Sequence, residues 1–270
     1  MQHPTNAERS ADLRLAGLFT VIAGKAACAV QAFDCRSVNM RRKEDHSPVT
    51  AADEASQTVI LQGLAGALPG VPVVSEEAEC AHQSGEYILV DPLDGTKEFL
   101  AARNEYTVNI ALVRDGVPVV GVVAAPALGL AWRGAAGIAE RLILAPDGSI
   151  GEATAIRTRR WPDQRVAAVS RLHYDEASAA FIERFAPVST LPFGSALKFC
   201  RIAEGSVDIY PRLAPTSEWD IAAGHALVVA AGGAVTRPDG GALLYGSGID
   251  SFIVPGFVAW GDVSAIRLIV

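Results

Sequence analysis

Cysteine is scarce in this chain. Its four cysteines, Cys28, Cys35, Cys80 and Cys200, form neither a C-x-x-C pair nor a zinc-ligand spacing. That excludes a disulfide-built scaffold and a structural zinc module, and it implies reduced thiols in a cytoplasmic setting. Basic charge is also short, with 23 Lys and Arg against 30 Asp and Glu and a net charge of −7. Such a balance does not provide the open positive surface that polymeric nucleic acid requires. A small phosphorylated substrate stays open, because bound cations reverse the local field. The longest apolar stretches, residues 117–132 and 221–235, are too short or too broken by Pro, Gly or His to span a bilayer. No transmembrane segment is expected, and peripheral contact with the inner membrane is left open. Near the N-terminus, Arg9 and Arg14 precede an apolar run with the outline of a signal peptide. There Leu15, Leu18, Phe19, Ile22, Ala26, Ala29 and Phe33 recur at spacings of three and four, and Lys25 interrupts the run. A first amphipathic core helix is the reading that fits. Internal repeats and low-complexity tracts are missing as well.

Half of the 270 residues are hydrophobic, enough for a substantial core in one large or two moderate domains. After the first helix, residues 41–46 form a polar loop or hairpin ended by Ser47-Pro48. A second helix is expected over residues 52–64, with Thr50 and Asp53 spaced as a capping box. Residues 71–74 read as a strand ending at Ser75-Glu76-Glu77, and residues 87–90 as another. Residues 107–113 and 117–124 flank Arg114-Asp115-Gly116, a hairpin signal. The first half is therefore α+β with mainly antiparallel strands. Residues 153–162, carrying Arg157, Arg159 and Arg160, shift in composition and read as a solvated linker, which sets domains at 1–155 and 156–270. Beyond it, strands at 166–170, 188–191 and 207–210 alternate with helices at 175–185, 196–204 and 221–231, an α/β pattern.

The segment Asp91-Pro92-Leu93-Asp94-Gly95-Thr96-Lys97-Glu98-Phe99 carries the most chemistry. Two carboxylates follow an apolar strand and precede a helix start. Acidic oxygens there suit Mg²⁺, and backbone N–H groups suit a phosphate. Glu76, Asp91, Asp94 and Asp220 all stand at ends of apolar elements rather than on exposed faces, which marks them as candidate metal ligands. Each also has a plain reading: Asp220 as a helix cap, Glu76-Glu77 as a solvated turn, Asp94-Gly95 as a tight turn. A phosphoaspartate mechanism needs Asp-x-Asp-Gly-Thr, and the three-residue spacing of Asp91 and Asp94 excludes it.

Four segments together resemble a known family. Ser47-Pro48-Val49-Thr50-Ala51-Ala52-Asp53, Ser75-Glu76-Glu77, residues 91–99 and Glu218-Trp219-Asp220-Ile221-Ala222-Ala223-Gly224 are similar to the signatures of the inositol monophosphatase superfamily. The resemblance implies an αβαβα layered sandwich, the sugar-phosphatase fold shared with fructose-1,6-bisphosphatase, with Mg²⁺-dependent and lithium-sensitive phosphatase activity. Thr96-Lys97-Glu98-Phe99, Gly194-Ser195-Ala196-Leu197-Lys198-Phe199-Cys200 and Asp208-Ile209-Tyr210-Pro211-Arg212 resemble the CysQ-type 3′(2′),5′-bisphosphate nucleotidases of that superfamily. This implies hydrolysis of adenosine 3′,5′-bisphosphate to AMP, a step accompanying sulfate assimilation.

By the same resemblance, Glu76, Asp91 and the Leu93 carbonyl hold a first Mg²⁺ ion. Asp91, Asp94 and Asp220 hold a second, and Glu76 also serves a third. Thr96 and Asp53 orient the attacking water, and the Gly95 and Thr96 N–H groups receive the phosphate. A bisphosphate needs a second anion site, for which His173, Lys198 and Arg212 are the basic candidates, with Ser195 on the ribose. Other superfamily substrates (inositol monophosphate, histidinol phosphate, fructose bisphosphate) and a non-catalytic metal or nucleotide sensor are the competing readings. Monomer and homodimer are both compatible with the sequence.

Overall fold

A computed structural model describes residues 5–42, 48–78, 85–246 and 252–269. Helix α1 (Asn6–Gln31) leads to the short strands β1 (Met40–Arg42) and β2 (Pro48–Thr50), helix α2 (Ala51–Ala67), β3 (Val73–Ser75), β4 (Glu86–Asp94) and helix α3 (Thr96–Leu100). Strands β5 (Thr107–Arg114), β6 (Val117–Ala125), β7 (Leu130–Ala135), β8 (Ile138–Leu144) and β9 (Ile150–Ala155) follow. The second half runs β10 (Arg165–Ser170), α4 (Glu176–Glu183), β11 (Val188–Phe193), α5 (Leu197–Ala203), β12 (Ile209–Arg212) and β13 (Thr216–Ser217). It closes with α6 (Glu218–Ala230), β14 (Ala234–Thr236), β15 (Ile253–Val254) and β16 (Phe257–Trp260).

Two sheets alternate with three helical layers. Strands β3 to β9 form a seven-stranded sheet in sequence order, with β3 and β4 parallel and every later pair antiparallel. The second sheet has the order β11-β10-β12-β16-β14. Strands β4 to β6 bury both faces, as their continuous apolar runs require. Ile88, Val90, Val108, Ile110, Leu112, Val120 and Val122 point to one side, where Phe19, Ala23, Ile60 and Leu64 of α1 and α2 cover them. Tyr87, Leu89, Ala111, Val113 and Val123 point to the other, onto α5 and α6. The far face of the second sheet packs Ala167, Ile209, Val258 and Trp260 against Phe181, Ile182 and Phe185 at α4. The αβαβα sandwich is therefore observed, with helix α6 in its middle layer.

Two glycines set how closely that middle helix sits. Gly121 of β6 and Gly134 of β7 are cross-strand partners. A Cβ at Gly121 would stand 2.2 Å from the Ala223 carbonyl oxygen, and one at Gly134 2.6 Å from the Leu227 Cα. Here helix backbone rests on strand backbone, an approach that a side chain forbids.

Several expectations need correction. Strands β7 to β9 have no counterpart in the sequence reading, because Gly134, Gly137 and charged residues break their apolar pattern. One pair of those charges is a cross-strand contact: Arg133 and Glu140 are register partners, with Nε 2.7 Å from Oε2. The proposed linker fails in two places. Its first residues, Ala153 to Ala155, belong to β9, and Arg159 donates two hydrogen bonds to the fully buried Asp208 at 2.7 and 2.8 Å. Asp208 also accepts from the Val166 N–H, so this arginine holds β10 to the start of β12 rather than facing water alone. Strand β4 continues through Asp91 to Asp94, and helix α6 begins at Glu218, which puts Asp220 inside its first turn.

Helix α1 is long and apolar enough to cross a membrane by length and composition. Its Phe19, Ala23, Ala26, Ala27 and Val30 are buried against the first sheet, the disposition of a core helix. Cys28, Cys35 and Cys200 are unpaired, and Cys80 lies outside the described residues. The loop at residues 43–47, most of the 78–86 connection and residues 247–251 also lie outside them.

Candidate active site

Residues three apart on a strand face opposite sides, so Asp91 and Asp94 should diverge. They do not, because β4 carries a bulge between them. Asp91 pairs with Asn109 and Asp94 with Thr107, three steps against two. The extra residue re-aims the strand and brings both carboxylates to one cavity. Pro92 sits in the bulge, where its missing N–H costs no ladder bond. Its carbonyl accepts a buried hydrogen bond of 2.7 Å from Ser56 Oγ. Asp91 Oδ1 accepts from the Leu93 N–H at 3.0 Å, and Asn109 Nδ2 donates to Asp94 Oδ2 at 3.3 Å.

One face of α2 holds three parts of the site. Asp53, Ser56 and Gln57 lie at i, i+3 and i+4, which share a helix face. Gln57 donates to the Glu77 carbonyl at 2.9 Å and accepts from Ser75 Oγ, bracketing Glu76 on both sides. Ser56 holds the bulge. Asp53 reaches Thr96: Thr96 Oγ1 is 3.1 Å from Asp53 Oδ1 and 3.2 Å from the Leu93 carbonyl oxygen. The capping box expected at Thr50 is present too, with the Thr50 N–H and hydroxyl both donating to Asp53 Oδ2 at 2.8 and 2.6 Å. Asp53 thus caps its helix with one oxygen and faces the site with the other. Asp220 shows the same double use. The Thr216 hydroxyl and the Ser217 N–H donate to its Oδ2, and the residue lines the cavity.

The cavity, of about 240 Å³, gathers Glu76, Asp91, Leu93, Asp94, Gly95, Thr96 and Asp220 with Ser170, His173, Ser195, Lys198, Tyr210 and Arg212. Every candidate from the sequence lines it except Asp53, which stands behind Thr96. The acidic half is under electrostatic stress. Burial first, and then the charges of Glu76, Asp94 and Asp220, push the Asp91 carboxyl well above its ordinary range. Asp94 is raised to about 7, by burial and then by Asp220. Burial raises Asp53 as well, against the hydrogen bonds from Thr50. Hard acidic oxygens crowded in this way suit a shared divalent cation.

The opposite half is basic. Lys198 is only 3% exposed, and Nζ donates to the Phe193 and Ser195 carbonyls at 3.3 and 2.6 Å, over the ring of Tyr210. Burial lowers its pKa to about 8, although Asp94 opposes the shift. Arg212 donates to the Pro215 carbonyl at 3.1 Å, and among the described residues its Nε is buried without an acceptor. Ser195 Oγ is likewise buried without a partner, on a residue in the left-handed region at φ 44°. Buried unpartnered polar groups are rare, and two in one basic wall are suited to an anion. His173 lies at the rim, held below its ordinary pKa by desolvation and then by Lys97, Arg212 and Lys198.

Ser56, Gln57, Asn109 and Thr216 escaped the sequence reading, and Glu98, which that reading named only within its motif, lines the cavity. Only Asn109 left a signal, as the polar interruption in the apolar run of β5. Helix α3 is five residues long, so its macrodipole is small, and a phosphate grip there would rest on individual N–H groups.

Residues 15–259 match the model of the inositol monophosphatase family. The chain belongs to that family. A 3′(2′),5′-bisphosphate nucleotidase CysQ from Salmonella typhimurium is 43% identical over 233 residues, covering 84% of this chain and 92% of that protein. The protein of the same name from Escherichia coli K12 is 41% identical over equal shares. The crystal structure of CysQ from Bacteroides thetaiotaomicron, described as a bacterial member of the inositol monophosphatase family, superposes with a TM-score of 0.78 at 31% identity. That comparison covers 92% of this chain and 97% of the other. Membership in the inositol monophosphatase family implies a divalent cation, typically Mg²⁺. The donors fit one. Among the described residues no group of three or more Asp, Glu, His or Cys side chains is placed to hold a metal ion by itself. Mg²⁺ does not require one, since it keeps several waters and shares its remaining positions with one or two carboxylates and a substrate phosphate.

Proposed function

We propose that this chain is a Mg²⁺-dependent 3′(2′),5′-bisphosphate nucleotidase that removes the 3′-phosphate of adenosine 3′,5′-bisphosphate, leaving AMP and phosphate. The observation that carries the reading is the two-sided cavity. An acidic wall suited to cations faces a basic wall that holds Lys198 and two donors, Ser195 Oγ and Arg212 Nε, unpartnered among the described residues. A substrate with one phosphate uses only the first wall, whereas a bisphosphate uses both. Relatives of over 40% identity named as such nucleotidases support the same substrate class.

Glu76, Asp91 and the Leu93 carbonyl would hold one ion and Asp91, Asp94 and Asp220 a second, with Glu76 also serving a third. Bound there, Mg²⁺ neutralises the phosphate dianion and lowers the pKa of a coordinated water. The chain's own residues do the rest. Thr96 Oγ1 gives its hydrogen bond to Asp53 Oδ1, which turns a hydroxyl lone pair towards the attacking water. Asp53, raised above its ordinary pKa, is a better proton acceptor than an exposed aspartate. Lys198, Arg212 and His173 would hold the second phosphate and Ser195 the ribose. In-line attack needs no covalent phosphoenzyme. The domain division belongs to this reading: residues 1–155 supply all the metal ligands but Asp220, and residues 156–270 supply Asp220 and the basic wall. The unpaired Cys28, Cys35 and Cys200 suit a reducing cytoplasm.

The test compares initial rates on adenosine 3′,5′-bisphosphate, inositol 1-phosphate and fructose 1,6-bisphosphate in Mg²⁺. The nucleotide should be strongly preferred. A preference for either sugar phosphate overturns the substrate assignment.

A further inference from the structure

The basic wall is held in place from the metal side of the cavity. Residues 101–106, between α3 and β5, carry Glu105 against the turn that joins β11 to α5. One Glu105 oxygen accepts from the Gly194 N–H at 2.9 Å and from Arg171 Nε at 2.7 Å. Its other oxygen accepts from Arg171 Nη2 at 2.7 Å, which completes a bidentate pair. Arg171 in turn donates to the Pro192 carbonyl at 2.9 Å from Nη2 and to the Phe193 carbonyl at 3.1 Å from its backbone N–H. The Phe193 and Ser195 carbonyls are the two acceptors that hold Lys198 Nζ. Gly194 lies between them, and the contact has no room for a side chain. A Cβ there would stand 2.7 Å from the Glu105 carbonyl oxygen and 3.0 Å from the Glu98 Cγ.

We infer that Glu105 is a positioning residue for the second anion site, clamping the 193–195 turn through Gly194 and Arg171 so that Lys198 and Ser195 face the substrate. The clamp spans the two halves of the chain, since Glu105 precedes β5 and its partners follow β10 and β11. It also fixes the residues 192–194 that lead into Ser195, whose backbone is left-handed. Glu105 touches no reacting atom. Its effect should therefore fall on recognition of the second phosphate and leave the metal side unchanged.

This inference rests on the assignment of Lys198 to the second phosphate, and one experiment separates the two. KM and kcat are measured for adenosine 3′,5′-bisphosphate and adenosine 3′-monophosphate with Glu105→Ala, Glu105→Gln, Lys198→Ala and the Glu105→Ala/Lys198→Ala double variant. Loss of hydrogen bonds to a charged group predicts about a tenfold rise in KM for the bisphosphate in Glu105→Ala. The monophosphate KM and the Mg²⁺ dependence should change far less. Glu105→Gln, whose amide oxygen still accepts from Gly194, should recover part of the loss. The double variant should lose clearly less than the sum of the two single variants, because both changes act on the Lys198 contact. Full additivity, or equal losses on both substrates, overturns the positioning role while the Lys198 assignment stands. No loss of bisphosphate preference in Lys198→Ala overturns that assignment, and the clamp's role with it.

Discussion

Thr96 Oγ1 and Asp53 Oδ1 lie 3.1 Å apart, in contact between the first turn of α3 and the first turn of α2. Each residue has a further neighbour: the Leu93 carbonyl oxygen lies 3.2 Å from Thr96 Oγ1, and Asp53 accepts from the Thr50 N–H. In the proposed mechanism this pair turns the Thr96 hydroxyl towards the attacking water.

Thr96→Val removes that hydroxyl at nearly constant volume. In Mg²⁺, kcat on the bisphosphate should fall about a hundredfold, the scale of lost general-base assistance, with little change in KM. Thr96→Ser should stay within about tenfold of the parent, because it keeps the donor. Equal rates for the Val and Ser variants would remove Thr96 from the proton path.

Asp94→Asn should lower turnover by more than about a hundredfold, beyond what the loss of an outer-shell partner of a metal ligand costs. Circular dichroism should show an unchanged fold. The same change should stabilise the protein in EDTA at pH 8. Asp94 is raised from 3.8 to about 7 in the folded state, so its contribution to stability is full below 3.8 and is lost as pH rises through about 7. The metal-free protein should accordingly melt several degrees lower at pH 8 than at pH 5.5. Mg²⁺ should reverse the trend, because the cation binds the ionised form. A chelated protein that gains stability between those pH values would contradict the buried acidic wall.

Lys198→Ala should raise KM for the bisphosphate by about tenfold or more and for a simple monophosphate much less. In the parent, the advantage of the bisphosphate should decline between pH 7 and 9. Lys198 titrates near 8 and is neutral above that value. Initial rates at saturating Mg²⁺ across this range decide the point; a flat preference would mean that Lys198 does not carry it.

Asp208→Ala should destabilise the fold by about 3 kcal/mol, since it strips the partners from Arg159 and from the Val166 N–H. Chemical denaturation reads the loss directly. Activity of the folded fraction should stay near that of the parent, because Asp208 lies outside the cavity lining.

The carboxylates were legible in the sequence because Asp91, Asp94, Glu76 and Asp220 stand where apolar elements end, a placement that caps and turns explain one residue at a time but not together. What aims them was not. The bulge is a property of register between β4 and β5, and no local pattern announces an extra residue in one strand. Ser56 and Gln57 read as ordinary helix polar residues until α2 is laid beside β3 and β4. Arg159 looked solvated because its partner Asp208 is 49 residues away. Strands β7 to β9 hid behind glycine and charge for a related reason. Gly134 serves α6, and a pair of the charges serves a cross-strand contact, and neither need is local.

The bed under α6 shows where the chain keeps its tolerances. Gly121 and Gly134 do no chemistry and touch no substrate, yet they fix the height at which α6 presents Asp220 to the carboxylates of β4. A methyl group on either would lift the helix as a body, leaving every carboxylate present and the gap between them wrong. The calibration of this centre therefore lies beneath it, in two missing side chains. A variant could keep every residue of the cavity and still lose the reaction.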